Sequence, residues 1–385
     1  MEYPVGQWGG VEVLVKELIA GLSGSFDILL ASDDEPGVFA GSPQARQVAA
    51  HFSWNPRVPH PEQARKLAAW LRSEGASVVH FHLGGTYAMR TRSWADSPIP
   101  IVAASGIPCV ATNHGAFSLF DFCAPSRPFV FRLAMLPLFW AGRLRTIAAL
   151  REEVTVSDND CANMRRWFAP YAGKFRRIYH SQLSGAEEMS EAREKTILCL
   201  GTVGPRKGQP FLVEAFSRIA GRFPDWTLII AGRQDSGVEE METIRRIVST
   251  RELCDRVLLP GAVSNEEAKS LMMTCGIFAM PSLAEGLGLS LQEALFRGCP
   301  AVASRVGGIR DMVIDGETGW LAEPGSPDEL AAVLEKAMTS EALRRQYGRA
   351  ARARIAALGM NRATMLERHQ ELYEPLLRRS FCKEN

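Results

Sequence analysis

No C-x-x-C pair occurs among the eight cysteines, Cys109, Cys123, Cys161, Cys199, Cys254, Cys275, Cys299 and Cys382, and most of them lie inside apolar runs. That spacing argues against a zinc site and against a disulfide framework; buried free thiols of a reducing compartment account for it. An excess of charge is also missing. The net charge is +1, so no global field draws the chain to nucleic acid. No apolar run reaches the roughly 20 residues of a membrane span. The nearest candidate, Pro128 to Gly142, is too short and contains Arg132. Met1 to Gly10 hold no apolar h-region, so no secretory signal is expected there and a cytoplasmic location is.

What is present is core. Hydrophobic residues make up 46% of the 385 and charged residues 23%, enough for packed interiors. At roughly 100–200 residues per domain the length predicts two domains. Short apolar runs alternate with amphipathic stretches. Phe26–Ala31, Ser77–Phe81, Pro108–Thr112 and Glu153–Ser157 read as strands, with helices such as Val11–Leu22 and Pro61–Glu74 between them. Thr196–Gly201, Trp226–Ala231, Arg256–Leu259, Gly276–Met280 and Pro300–Ser304 repeat the rhythm, with helices at Pro210–Arg222, Val238–Arg251 and Glu266–Thr274. This alternation predicts parallel sheets covered on both faces. The polar stretch Gln182 to Glu194 is the expected crossing between the two. Asp328–Met338, Glu341–Ala357 and Arg362–Leu377 read as further helices, the last with a packing role.

The start of the chain departs from that pattern. The loop Gly6-Gln7-Trp8-Gly9-Gly10 precedes the first helix, and a doubly wound sheet places a central strand before such a loop. Only Met1–Val5 stands there, with a proline in it. The expectation is that the first strand is missing and the natural chain starts upstream of Met1.

The densest signal for chemistry runs from Met280 to Leu321. A strand ends at Met280 and a turn leads to Glu285. Gly286 and Gly288 then let the backbone approach a ligand, and a helix follows from Leu289 to about Arg297. Its N-terminus offers free N–H groups and a positive dipole end to a diphosphate. Two carboxylates, Glu285 and Glu293, are poor phosphate ligands, which points to a polyhydroxyl part of the same ligand.

Glu285 and Glu293 form an E-x7-E pattern within SLAEGLGLSLQEALFRGCPAVAS, and VGGIRDMVIDGETGWL follows. This resembles the donor-site signature of glycosyltransferase family 4. The resemblance implies the GT-B fold, an α/β architecture of two doubly wound Rossmann-like domains facing a central cleft. Residues 1–185 would be the acceptor-side domain and 186–358 the nucleotide-sugar domain. Residues 359–385 would form a helix packing back on the first.

It further implies that Glu285 contacts the donor sugar and Glu293 the ribose. Backbone amides around Gly286, Leu287, Gly288, Leu289 and Ser290 would hold the distal phosphate. Gly201-Thr202-Val203-Gly204-Pro205-Arg206-Lys207-Gly208 resembles the family's G-R-x4-K-G turn. Lys207 matches the lysine that neutralises the departing diphosphate. Thr202 stands where the family has arginine, and Arg206 is the candidate second charge. Arg233 and Val263 match loops near the ribose and base. In the first half Gly9-Gly10-Val11-Glu12 resembles the family's GGVE, with Gly10 allowing close approach to the first helix. His114, in Val110-Ala111-Thr112-Asn113-His114-Gly115, matches a histidine near the reacting centre. His80 and His82 alternate along one strand and therefore face one side; a structural or acceptor-pocket role is expected of them and no metal. Tyr179-His180-Ser181-Gln182 replaces the family's N-G-V-D.

The implied reaction is a retaining hexosyl transfer from a nucleotide diphosphate sugar, with no cofactor, as in polysaccharide biosynthesis. The acceptor is a glycan, a lipid-linked sugar or a small molecule. Two alternatives stay open: a nucleotide-sugar epimerase of the same fold, and a partner protein that binds the nucleotide without turnover. A dinucleotide oxidoreductase ranks lower, because no G-x-G-x-x-G follows the first strands. The stretch from Arg127 to Arg145 joins bulky apolar residues to Arg127, Arg132, Arg143 and Arg145. Two readings of it are a peripheral contact with an anionic bilayer and an ordinary buried helix with its arginines exposed.

Overall fold

The structure, a computed structural model, describes residues 10–55, 60–83, 97–115, 129–185, 193–234 and 238–381. The loop from Gly6 to Gly9, Arg127 and most of the stretch between Gly185 and Arg193 lie outside them, as does the side chain of Arg132. The chain divides into two compact units, one of residues 1–182 with 361–385 and one of residues 183–360.

The described strands of the first unit are β1 (Leu29–Ser32), β2 (Ala50–Ser53), β3 (Val79–Leu83), β4 (Cys109–Asn113), β5 (Glu152–Thr155) and β6 (Phe175–Arg177). All pair in parallel. Among the described residues they form two separate sheets, β1–β2 and β3–β4–β5–β6. Ile99, Val102, Ala111, Ile147 and Met164, all 0% exposed, fill the core under the larger sheet.

The helix Arg362–Phe381 belongs to this unit. Its Met365 packs with Leu14, Leu18 and Leu22 of the helix Gly10–Leu22. Its Leu372 and Leu376 pack with Val110 of β4 and Val154 of β5. Positions 365, 372 and 376 lie at helical spacing, so one stripe covers both the first helix and the sheet.

The second unit carries β7 (Glu194–Leu200), β8 (Thr227–Ala231), β9 (Val257–Gly261), β10 (Cys275–Met280), β11 (Ala301–Ser304) and β12 (Trp320–Ala322). They form one sheet in the order β12-β11-β10-β7-β8-β9, and every pairing is parallel. Strand order reverses between β7 and β10. In a doubly wound sheet the connections on either side of that point leave to opposite faces, and ligands bind beside it, at the carboxyl ends of the strands.

Helices cover the faces with apolar stripes. In Gln209–Ile219 the buried residues Leu212, Val213, Phe216 and Ile219 recur at one face. Ser264 starts Asn265–Thr274 through a capping box with Glu267.

The helix Phe129–Ala149 corrects the reading of Arg143 as a surface charge. Arg143 is 0% exposed, and its Nη2 donates to both carboxylate oxygens of Glu153, also 0% exposed, at 2.6 and 2.7 Å. The guanidinium therefore serves the core and not a bilayer, because a charge this deep needs a charged partner. Arg145 does reach solvent. Among the described residues no helix is long and apolar enough to cross a membrane.

Glu153→Gln leaves the buried guanidinium without its counter-charge. It should lower the stability of this unit by about 3–5 kcal/mol, read as a fall in the urea midpoint. The paired change Arg143→Met with Glu153→Leu should cost much less.

Candidate functional site

In the second unit the site grows from the ends of β7 and β10. Past Leu200 the chain turns through Gly201 to Gly208 and enters the helix Gln209–Ile219. Past Met280 it loops through Glu285 and enters the helix Leu289–Phe296, whose N-cap is Gly288. The strands are neighbours, with Ile197 opposite Ile277, so the two loops meet.

Their meeting is tightly fitted. Leu283 N–H donates to the carbonyl of Arg206 at 2.7 Å. Gly208 has φ +65°, and a Cβ there would lie 2.1 Å from the carbonyl oxygen of Pro281. Only glycine permits that approach in that conformation. Ser290 Oγ donates to the carbonyl of Leu200 at 3.0 Å, which ties the helix start to the end of β7.

This fit brings Lys207 Nζ to 2.6 Å from Glu285 Oε2, with 33% and 16% of the two side chains exposed. Ser282 Oγ donates to the same oxygen at 3.4 Å. An ammonium has three N–H donors, and Glu285 takes one.

A third loop fixes Glu285 from outside. Gly308 N–H donates to the carbonyl of Gly286 at 2.9 Å. A Cβ on Gly307 (φ +45°) would stand 1.7 Å from the carbonyl oxygen of Glu285. The run Val306-Gly307-Gly308 is thus what seats the Glu285 loop, a role its sequence match did not reveal.

Glu293 lies one turn into the helix, 3.7 Å from Nη1 of Arg297. Leu287 is buried and anchors the loop. The carbonyl of Thr202 accepts from Gln209 Nε2 at 3.1 Å. Arg206 is exposed beside Lys207. Val203 N–H donates to the carbonyl of Arg233 at 2.8 Å, which places Arg233, past the end of β8, next to this turn. Val263 stands just past the end of β9, before the capped helix Asn265–Thr274. The structure therefore gathers the second-unit residues along adjacent strand ends. Gly10 and His114 belong to the first unit, Gly10 as the first residue of its helix.

His114 follows β4 and sits among other histidines. Its Nε2 is 3.2 Å from Nδ1 of His82. His80, on the same strand as His82, lies 2.8 Å from Thr112 Oγ1 through Nε2 and 2.5 Å from the Tyr373 hydroxyl through Nδ1. His180 and His369, 3% and 0% exposed, complete the group. His369 Nδ1 donates to the carbonyl of Met365 at 2.7 Å.

Burial holds all five imidazoles neutral. Desolvation lowers His114 to about 3, with His369 adding repulsion, and lowers His369 to about 4. It also takes His80, His82 and His180 well below the ordinary histidine range, aided by repulsion from the neighbouring rings. His180, His369, Thr112 and Tyr373 escaped the sequence reading of the site. His180 stood there only as a break in a motif, and no motif surrounds His369. Among the described residues no group of three His, Cys, Asp or Glu side chains is placed to hold a metal ion.

Residues 8–181 match the model described as Glycosyltransferase Family 4, and residues 186–354 match Glycosyl transferases group 1. The chain belongs to the family 4 glycosyltransferases.

The GDP-mannose-dependent alpha-(1-6)-phosphatidylinositol monomannoside mannosyltransferase of Mycolicibacterium smegmatis is 31% identical over 145 residues, 36% of this chain and 37% of that protein. The match thus spans little over a third of that relative's length. The alpha-D-kanosaminyltransferase of Streptomyces kanamyceticus is 26% identical over 290 residues, 71% of each chain. Among solved structures, Anabaena HepE in complex with UDP-glucose superposes with a TM-score of 0.72 at 16% identity, covering 97% of this chain and 98% of that one. That likeness shows the GT-B fold.

Two predictions follow from this geometry. Gly307→Ala forces a methyl into the Glu285 carbonyl. It should cost about 1–3 kcal/mol, read as a lower melting temperature, and weaken nucleoside diphosphate binding in calorimetry. The histidines generate the second. An unfolded chain protonates them near pH 6.5 while the folded one keeps them neutral, so the unfolded state binds more protons. Stability is full above pH 6.5 and falls as pH drops, by up to about 1.4 kcal/mol per pH unit for each histidine. For His369 the loss levels off near pH 4 and for His114 near pH 3. Urea midpoints at pH 7.5, 6 and 5 should decline in that order, and His369→Gln should flatten the decline.

Proposed function

We propose that this chain transfers a hexosyl group, with retention, from a nucleotide diphosphate sugar to a hydroxyl of a glycan, a lipid-linked sugar or a small molecule. The observation that carries the reading is the Lys207–Glu285 pair at the point where strand order reverses, beside the start of the helix Leu289–Phe296. Both relatives described above are named as glycosyltransferases, one using GDP-mannose and one transferring kanosamine.

In this scheme the diphosphate rests against the free N–H groups of residues 287–290. Lys207 keeps donors for its oxygens while bonded to Glu285, which orients the sugar hydroxyls. Glu293 takes the ribose, and Arg233 and Val263 line the nucleoside. The bond from the anomeric carbon to the phosphate oxygen breaks as the bond to the acceptor oxygen forms on the same face. The acceptor's proton passes to the leaving phosphate. The chain supplies position and fixed positive charge where negative charge grows, and no cofactor takes part. His114 acts on the reacting hydroxyls from the first unit.

If the acceptor is carried on a lipid, exposed Val130 (77%) and Leu133 (51%), together with Arg145, give the helix Phe129–Ala149 a surface for peripheral contact. Thr202, standing in place of the family's arginine, favours the second reading, binding without turnover.

Calorimetry with UDP-glucose and GDP-mannose should show saturable binding of one of them, and release of the nucleoside diphosphate should follow. Binding without release under every acceptor tried would support the second reading. Lys207→Ala and Glu285→Ala should each lower turnover at least about 100-fold, the usual cost of removing a group that stabilises developing charge, with an unchanged circular dichroism spectrum. Turnover near wild type in either would move the donor site elsewhere.

A further inference from the structure

Five imidazoles in the first unit close a ring. His80 stacks on His82 with centroids 4.4 Å apart and planes 27° from parallel. From His82 to His114 the centroids are 5.5 Å apart, and from His114 to His180 they are 5.2 Å apart. The ring closes through His180 to His369 at 6.0 Å and His369 to His80 at 5.8 Å.

The ring is anchored at His80. Thr112 holds one of its nitrogens and the Tyr373 hydroxyl the other, so its plane is fixed. His82 lies against that plane and inherits its orientation. His82 then meets His114 nitrogen to nitrogen, Nδ1 to Nε2, at 3.2 Å. Two neutral imidazoles in that contact share a single proton. The other ring nitrogen of His114, Nδ1, has no protein partner among the described residues.

We propose that His82 is a positioning residue for the transfer reaction: it holds His114 by Nε2 so that Nδ1 alone is offered to the substrate. The proposal rests on the role given to His114 above. Without a partner an imidazole can turn over about its Cβ–Cγ bond, which puts Cδ2 where Nδ1 stood and Cε1 where Nε2 stood. The contact with His82 selects one of the two orientations.

It also sets the polarity. When a substrate hydroxyl donates to Nδ1, His114 carries its proton on Nε2 and donates to His82. When a substrate oxygen accepts from Nδ1–H, His82 carries the shared proton and donates to His114. Either state is neutral overall, so neither leaves an imidazolium in a place that disfavours charge. The chain of support therefore runs from Tyr373 and Thr112 through His80 and His82 to His114.

The test uses release of nucleoside diphosphate from whichever of UDP-glucose and GDP-mannose binds, together with 15N shifts of the His114 ring, which need no substrate. His82→Phe keeps a ring to stack on His80 and removes the hydrogen bond. It should lower kcat about 100-fold, as misplacing a reacting group does, leave KM for the donor within about twofold, and move the His114 Nε2 shift. His82→Asn, whose amide can stand where Nδ1 stood, should recover most of kcat and of the shift. In a His114→Phe background, His82→Phe should have no further effect.

Wild-type kcat and an unmoved shift in His82→Phe would overturn the proposal. So would an undiminished loss in the His114→Phe background, since His82 would then act on its own account. Wild-type turnover in His114→Phe alone is a different outcome: it removes the role of His114 itself. If His82→Phe does not fold, Tyr373→Phe, which removes only a hydroxyl from the far end of the chain, carries the test. It should shift His114 Nε2 and lower kcat in the same direction by a smaller factor, and no change in either would overturn the proposal.

Discussion

One ammonium–carboxylate contact stands at the centre of the second unit's candidate site, and the surrounding loops are fitted to hold it. Lys207 and Glu285 are far apart in sequence and meet because β7 and β10 are neighbours where strand order reverses. A partly exposed pair of this kind is worth at most about 1 kcal/mol. It is held by far more structure than it could stabilise: two glycines with no room for a Cβ, a serine hydroxyl on a strand end and an N–H from a third loop. That disproportion is what the proposed donor role would require, a geometry set by the fold and not by the pair itself. A charge fixed before the ligand arrives needs no reorganisation when negative charge develops beside it.

The first unit solves the opposite problem. Its cluster is built from titratable groups, yet burial keeps each imidazole uncharged. What such a cluster offers is direction, because a neutral ring with one nitrogen engaged presents a defined face to a ligand. Fixed charge and oriented neutral groups are two kinds of assistance a group transfer can draw on.

The candidate donor site was legible in the sequence because its parts lie in two short continuous runs. Glu285, Gly288 and Glu293 sit within one stretch, and Lys207 lies in the short turn between a strand and the next helix. Parallel sheets were legible too, since their strands are continuous apolar runs. The three-residue β12 and the half-buried β2 are too short or too mixed for that signal. The histidine ring was illegible for a different reason. Its members come from β3, the ends of β4 and β6, and the last helix, and no spacing rule joins positions 82, 180 and 369. Arg143 misled for a related reason, because its counter-charge lies on another element, and local hydropathy cannot see a partner across a packed interface. Gly307 was visible as a letter in a motif, but its reason, the Glu285 carbonyl against its Cα, exists only in three dimensions.

The first unit is assembled from two stretches of chain with the whole second unit between them. A ribosome emits residues 361–381 only after residues 183–360 have been made. Until then Leu14, Val110 and Val154 lack the cover that Met365, Leu372 and Leu376 provide, and His80 lacks the Tyr373 hydroxyl. The second unit is continuous and can close as soon as it emerges. During synthesis the half that begins first is therefore finished last, and its apolar surfaces stay open for as long as it takes to translate its neighbour.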